Sequence, residues 1–240
     1  YFDLTEDVES TRRVKALAEG AKTAFTPQCG LAPGFISIVG YDLAKRFDEL
    51  HTLHMRVGAR PHCGVKAVFA PSARALEGME HISLDGIDYE AFNTSGGLGT
   101  LCETLDGKVK FLNYKTVRYP GHRDIVKLLV NELQLGQRRD ILKDVLEASI
   151  PMTKQDVVLI FVTAWGKKEG RLMQETYAKK VYAKEIGGQL WSAIQVTTAA
   201  GICAMVDLHR AGRLPQSGFV RQEQANLSDF LANRFGQHYA

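Results

Sequence analysis

The run V-V-L-I-F-V-T-A-W, Val157 to Trp165, constrains the fold more than any other part of this chain. Successive side chains of a strand point to opposite faces, so a run apolar at nearly every position needs cover on both. It is read as a central strand. The solvated G-K-K-E-G, Gly166 to Gly170, then makes a hairpin turn, and Leu172 to about Tyr182 returns beside it.

The elements around this hairpin mix strand and helix periods. His51, Leu53, Met55 and Val57 alternate with Thr52, His54 and Arg56, the pattern of a half-buried strand. Lys108 to Val117 reads as a long strand after the Asp106-Gly107 turn, and Asp85-Gly86 marks another turn. Short strands are expected over Tyr1 to Leu4 and Ala24 to Cys29. Between them lies a helix capped by Thr5, with Val8, Val14, Leu17 and Ala18 as its apolar stripe.

Further helices are expected after Gly34 to about Phe47, from His122 to about Leu135, and from Arg138 to Ser149. Ile125, Val126, Leu129, Val130 and Leu133 form the stripe of the His122 helix. Gly187-Gly188 closes the sheet region, Leu190 to Arg210 is a long helix rich in small residues, and Asn226 to Arg234 a last one. The fold class that follows is α+β, a mixed sheet with flanking helices. Ala67 to Ala70, closed by Pro71, is a short apolar run in a stretch with no clear pattern.

At 240 residues the chain can bury a sizeable core. A net charge of +3 gives no footprint for nucleic acid, and no apolar stretch approaches the roughly 18 residues of a membrane span. The first residues carry neither a basic lead nor a long apolar run, and they open as a domain cut from a longer chain would. Cys29, Cys63, Cys102 and Cys203 are too widely spaced for a zinc site and read as reduced cytoplasmic thiols. His51 and His54, three apart in a strand, point to opposite faces and make a poor metal pair.

Chemistry concentrates in N-Y-K-T-V-R-Y-P-G-H, Asn113 to His122. Tyr114, Thr116 and Arg118 share one strand face; Lys115, Val117 and Tyr119 share the other, so Lys115 and Arg118 do not reach one ligand. Gly121 permits a sharp turn, and His122 sits where free helix N–H groups attract an anion. Arg118 could clamp a carboxylate, with Thr116 and Tyr114 adding hydroxyls and His122 exchanging a proton near neutral pH. The plainer alternative is that Arg118 pairs with a surface Glu and His122 caps the helix.

Gly30 to Gly34 could bring backbone close to a flat ligand, or simply connect strand to helix tightly. Thr94 to Thr100 could cradle a ligand but lacks the G-K-[ST] ending of a P-loop. Cys29 and Cys102 are either reactive thiols or buried inert ones. No G-x-G-x-x-G dinucleotide fingerprint occurs in the chain.

Several ordered motifs together resemble one family. They are D-L-T-E-D (Asp3 to Asp7), C-G-L-A-P-G (Cys29 to Gly34), N-T-S-G-G-L-G-T-L-C-E-T (Asn93 to Thr104), N-Y-K-T-V-R-Y-P-G-H, and G-F-V-R-Q-E (Gly218 to Glu223). The family is the saccharopine dehydrogenase-like oxidoreductases, which includes saccharopine reductases, lysine 6-dehydrogenases and carboxynorspermidine dehydrogenases. The resemblance implies a substrate domain of the type that follows a Rossmann domain. Residues 1–29 would be the tail of the NAD(P)-binding domain, 30–217 the substrate-binding and dimerisation domain, and 218–240 a segment returning to the nucleotide domain. The missing fingerprint would then lie upstream of Tyr1.

The resemblance further implies NAD or NADP as cofactor, an amino-acid substrate, a homodimer, and reversible hydride transfer at a C–N bond. Leu4, Thr5, Cys29, Gly30, Ala32, Pro33 and Gly34 would line the nicotinamide end. Asn93, Thr94, Ser95, Gly96 and Gly97 would close over the substrate with Tyr119. Tyr114, Thr116, Arg118 and His122 would meet the substrate carboxylates, with His122 the first choice of proton acceptor. Two departures stand out: Ala32-Pro33-Gly34 replaces the Asp-Pro-Gly of some relatives, and the stretch from Arg60 to Pro71 is short. Two rivals to the enzyme are a non-catalytic dimerisation module and a small-molecule binding protein.

Overall fold

A computed structural model of the protein describes residues 1–58, 76–94, 97–150 and 153–240. The expectations on Cys63, on Ala67 to Ala70, on the Arg60 to Pro71 stretch, and on Ser95 and Gly96 lie outside these residues. The first elements are α1 (Val8–Leu17), β1 (Ala24–Phe25), α2 (Phe35–Ala44), β2 (Glu49–Gly58), β3 (Glu80–Leu84), β4 (Ile87–Phe92) and α3 (Leu101–Thr104). Then come β5 (Val109–Arg118), α4 (His122–Lys127), α5 (Arg139–Ser149), β6 (Val157–Lys168) and β7 (Arg171–Tyr182). The last are β8 (Lys184–Ile186), β9 (Gln189–Trp191), α6 (Ala193–Arg210), β10 (Gly218–Phe219) and α7 (Leu227–Ala232).

Six strands make one mixed sheet in the order β3-β4-β5-β2-β6-β7, so the fold is α+β with flanking helices. β2 and β5 run parallel, and the other neighbouring pairs run antiparallel. β6, the apolar run, lies between β2 and β7. Its odd and even residues enter different clusters: Val158, Ile160, Val162 and Ala164 join the main core, and Leu159 joins Tyr89, Ala91 and Val117 on the other face. The return turn is Glu169-Gly170, both with positive φ, as a tight hairpin favours.

The main core seats α2 and α6 against one sheet face. Phe35, Ile36, Ile38 and Val39 of α2 are buried against Leu53, Met55 and Val57 of β2. Each such side chain contributes about 1.5–3 kcal/mol on leaving water. α6 starts at a capping box of Ser192 and Gln195, reinforced by the Asp156 carboxylate, which accepts from the N–H groups of Ala193 and Ile194. Its small residues permit close packing: a Cβ on Gly201 would stand 2.7 Å from the Cys29 carbonyl oxygen.

Several local expectations are corrected. Asp7, not Thr5, caps α1, accepting from Ser10 N at 2.6 Å, and Val8 and Leu17 are exposed while Val14 and Ala18 are buried. β2 lies between β5 and β6, and Leu53, Met55 and Val57 are buried while Thr52 and His54 stay partly exposed, as the alternation predicts; Arg56 departs from it and is buried. A register shift between Leu50 and Thr52 turns His51 onto Trp165, with ring centroids 4.7 Å apart, so its face is not the one that simple alternation gives.

The His122 helix breaks early: α4 gives way to a π segment at Leu128–Glu132 and a 3₁₀ turn at Leu135–Gln137, leaving Ile125 and Leu133 exposed. Gly187-Gly188 is the turn of a small β8–β9 hairpin, so α6 begins at Ala193 rather than Leu190.

Among the described residues, no helix is long and apolar enough to cross a membrane and no group of three or more His, Cys, Asp and Glu could hold a metal. Cys29, Cys102 and Cys203 are free thiols.

Candidate functional site

β5 carries the candidate residues into the sheet. Its parallel register sets Tyr114 opposite Met55 and Thr116 opposite Val57, on the core face. On its other side Thr116 faces Phe92 and Arg118 faces Glu90. Thr116 and Arg118 are both buried. The Arg118 guanidinium turns back to donate from Nη1 to the Val117 carbonyl at 2.7 Å. Gly58 makes room for it, since a Cβ there would stand 2.4 Å from that nitrogen.

Lys115 lies on the opposite face, as alternation requires, and its Nζ donates to Glu80 at 2.7 Å. The same Glu80 pairs with buried Arg56, whose Nη1 also donates to Asn113 Oδ1 at 2.6 Å. Tyr119 follows Lys115, not Arg118. Its ring packs 5.5 Å from that of Tyr89, and it lines a separate cavity of about 410 Å³ with Asp156, Tyr182 and Leu190. The expectation that Tyr119 meets the same substrate as Tyr114 is therefore corrected: a strand residue of the wrong parity faces away.

The turn after β5 uses Gly121 at φ +92°, a conformation glycine adopts without steric cost. The helix start behind it already has an anion. The buried Glu90 carboxylate accepts from Gly121 N at 2.9 Å and from Arg123 N at 2.5 Å. The sequence predicts free N–H groups waiting for a ligand at that spot, and a side chain from β4 takes two of them instead. His122, between those two residues, stacks on Phe92 with centroids 6.4 Å apart. Burial, followed by the Arg118 charge, pushes its pKa down to about 4. His122 is thus neutral at pH 7 and not poised to exchange its proton near neutrality.

A second group of segments meets on the far side of Tyr114. The backbone of Gly97 lies against the Tyr114 ring. The turn that follows reaches Gln28 and Pro33: a Cβ on Gly99 would stand 3.0 Å from Gln28 Oε1 and 3.3 Å from Pro33 Cβ. A cavity of about 380 Å³ opens here, lined by Thr11, Gln28, Thr94, Gly97, Thr100 and Tyr114 among others. Burial raises the Tyr114 phenol to a pKa of about 12, so it stays protonated and can donate. The Asn93 main chain exchanges hydrogen bonds with Leu76 and Glu77 at 2.9 and 3.0 Å.

The residues expected at the nicotinamide end divide by exposure. Leu4 is exposed, and Thr5, Gly30 and Ala32 keep partial exposure. Cys29, Pro33 and Gly34 are buried and shape the turn from within. The Cys29 thiol donates to the Thr26 carbonyl at 3.0 Å, and burial pushes its pKa up to about 12. The Asp3 carboxylate joins the two strips by accepting from Thr5 N and Gln28 N, both at 2.9 Å.

The late R-Q-E motif locks these pieces together. Gln222 Nε2 donates to the Pro27 carbonyl at 2.7 Å and contacts Cys29 Sγ at 3.3 Å. The buried Glu223 carboxylate accepts from Thr100 Oγ1 and Thr104 Oγ1, at the two ends of α3. Sequence reasoning missed Gln28, Glu90 and Glu223 as parts of the site. The motif that contains Glu223 is conspicuous in the chain, but nothing local marks Glu90, whose partner Gly121 lies 31 positions away.

No family model matches the chain. Its fold is similar to that of an apo, histidine-tagged saccharopine dehydrogenase (L-Glu forming) from Saccharomyces cerevisiae, with a TM-score of 0.71 at 11% sequence identity. The match covers 95% of this chain and 75% of the yeast one. At that identity the likeness establishes a distant structural relative and a shared fold.

Proposed function

We propose that the chain is the substrate-binding portion of an NAD(P)-dependent oxidoreductase acting on the C–N bond of a saccharopine- or lysine-like amino acid. In this reading residues 1–29 end the nucleotide domain, 30–217 bind substrate and dimerise, and 218–240 return to the nucleotide domain. The observation that carries it is the meeting of three distant parts of the chain, Gln28, Gly97 to Thr100 and Tyr114, around one cavity, with Pro33 packed behind Gly99. The parallel pairing of β1 with β10 supports the returning segment. Exposed Phe111 and Trp165 on the sheet support pairing with a second copy.

The residues divide the work by chemistry. Arg118 is the carboxylate clamp, because a guanidinium presents two parallel donors. Thr116 and Tyr114 add hydroxyls beside it. His122 is assigned the proton the amine loses, and its lowered pKa makes it a weak acceptor for it. Bound NAD(P) supplies the hydride chemistry. The chain offers it the strip where Leu4 Cδ2 approaches Gly30, 3.6 Å from where a Cβ would be. That strip does not by itself hold a dinucleotide.

One observation favours a second reading, binding without catalysis: a histidine with its pKa lowered to about 4 is a weak base. The full-length protein, assayed with NAD and NADP against lysine, saccharopine and related diamines, separates the two. Formation of reduced nicotinamide supports the enzyme, and binding of substrate without turnover supports the module. Arg118→Ala should raise KM roughly ten- to a hundredfold, the worth of one charge-assisted pair. An unchanged KM removes the clamp.

A further inference from the structure

We infer that Gln28 is a substrate-binding residue whose side-chain oxygen accepts a hydrogen bond from the amine nitrogen of the amino-acid ligand. The assignment rests on the functional reading above and specifies how the cavity beside Tyr114 recognises the nitrogen.

Gln28 is held in an uncommon conformation. Its φ is +64°, in the left-handed region that few non-glycine residues adopt, and it is only 4% exposed. Asp3 Oδ1 fixes its backbone N–H at 2.9 Å. Such backbone persists where surrounding contacts over-determine it, and it concentrates at ligand sites.

The side chain has a defined orientation. Thr11 Oγ1 donates its hydrogen to the Asp7 carbonyl at 2.9 Å, so towards Gln28 it can only accept. The Gln28 atom 3.2 Å from it is therefore the amide nitrogen. The amide oxygen takes the other branch and points to the Gly97 to Thr100 turn. It sits 3.0 Å from where a Cβ on Gly99 would stand, a space that glycine leaves open. Among the described residues this oxygen has no hydrogen-bond partner, although Gln28 lines the cavity with Thr94 and Tyr114.

An unpartnered acceptor on a little-exposed side chain at a cavity wall offers a place to a donor. The carboxylate on this wall, Glu103, is already paired with Lys15 at 2.7 Å and Arg221 at 3.3 Å. Arg12 lines the same cavity, which suits a ligand that carries both an amine and a carboxylate.

The test titrates full-length wild-type protein, Gln28→Met and Gln28→Glu with two probes: L-lysine, and hexanoate, which keeps the carbon chain and carboxylate but has no amine. Gln28→Met should weaken L-lysine roughly ten- to a hundredfold and leave hexanoate within about twofold. Gln28→Glu should retain L-lysine binding, and the wild-type Gln28 side-chain amide resonance should shift with L-lysine and not with hexanoate. Equal L-lysine affinity in wild type and Gln28→Met overturns this assignment alone, as does parallel loss of both probes. A wild-type protein that binds no amino acid overturns the functional reading and this assignment with it.

Discussion

Gly97 lies so close to the Tyr114 ring that a Cβ on it would stand 2.0 Å from Cδ1 and 2.2 Å from Cγ. Neither group can yield easily, because Tyr114 sits on a strand bounded by β2 and β4. Gly97→Ala should therefore push the turn away from the ring. An overpacked site of this kind costs about 1–3 kcal/mol. Denaturant unfolding should show that loss, and amino-acid binding should weaken with it. Wild-type stability in the variant would mean that the turn does not rest on Tyr114.

The buried Glu90 carboxylate holds the start of α4 through Gly121 N and Arg123 N. Glu90→Ala leaves two donors without their acceptor and should destabilise the protein by about 1–3 kcal/mol for each one that water does not reach. Hydrogen exchange at those two amides should accelerate beyond any global change. Glu90→Gln, which keeps an acceptor, should recover part of the protection. Unaltered exchange at both amides in Glu90→Ala would remove this capping role.

His122 predicts a pH dependence with a definite sign. Its folded pKa, about 4, lies below the ordinary 6.5. Folding thus favours the neutral ring, and the unfolded chain binds the proton more readily. The contribution is fully present above about pH 6.5 and is lost as the pH falls towards 4. Replacing His122 with Asn should flatten the stability profile across that window. A profile of unchanged slope in the variant would assign the acid sensitivity elsewhere.

Cys29 and Cys102 should differ in reactivity. Cys29 is 1% exposed with its pKa pushed to about 12, and Cys102 is exposed in the cavity wall beside Glu103. Only the thiolate reacts. Brief iodoacetamide treatment of the native protein followed by peptide mass mapping should find Cys102 labelled and Cys29 intact. Comparable labelling of Cys29 without unfolding would contradict the packing around Gln222.

The parts of the fold that depend on neighbouring residues were legible in the chain. The apolar run over Val157 to Trp165 marked the buried strand, Asp85-Gly86 marked a turn and Gly166 to Gly170 a hairpin, and parity separated Lys115 from Arg118. Parity failed at His51, because a one-residue bulge leaves no trace in composition. Helix patterning overestimated α4, where Ile125 and Leu133 repeat at helical spacing but meet no core.

The site was legible as a set of residue types and not as an arrangement. Tyr114, Thr116 and Arg118 stand together because a strand repeats every two residues, and any extended chain with these letters would place them so. Gln28 oriented by Thr11, Gly97 seated on Tyr114, and Glu90 under Gly121 join positions far apart in the chain. Local propensity says nothing of such pairs. They exist because the strand order places β4 beside β5 and because the packed core of α2 and α6 draws the Gln28 segment towards the Gly97 turn. The sequence alone determined which candidate residues share a face of β5; only tertiary packing decided that the helix start beside it is already filled by a buried carboxylate, whose hydrogen bonds replace those a ligand would otherwise make.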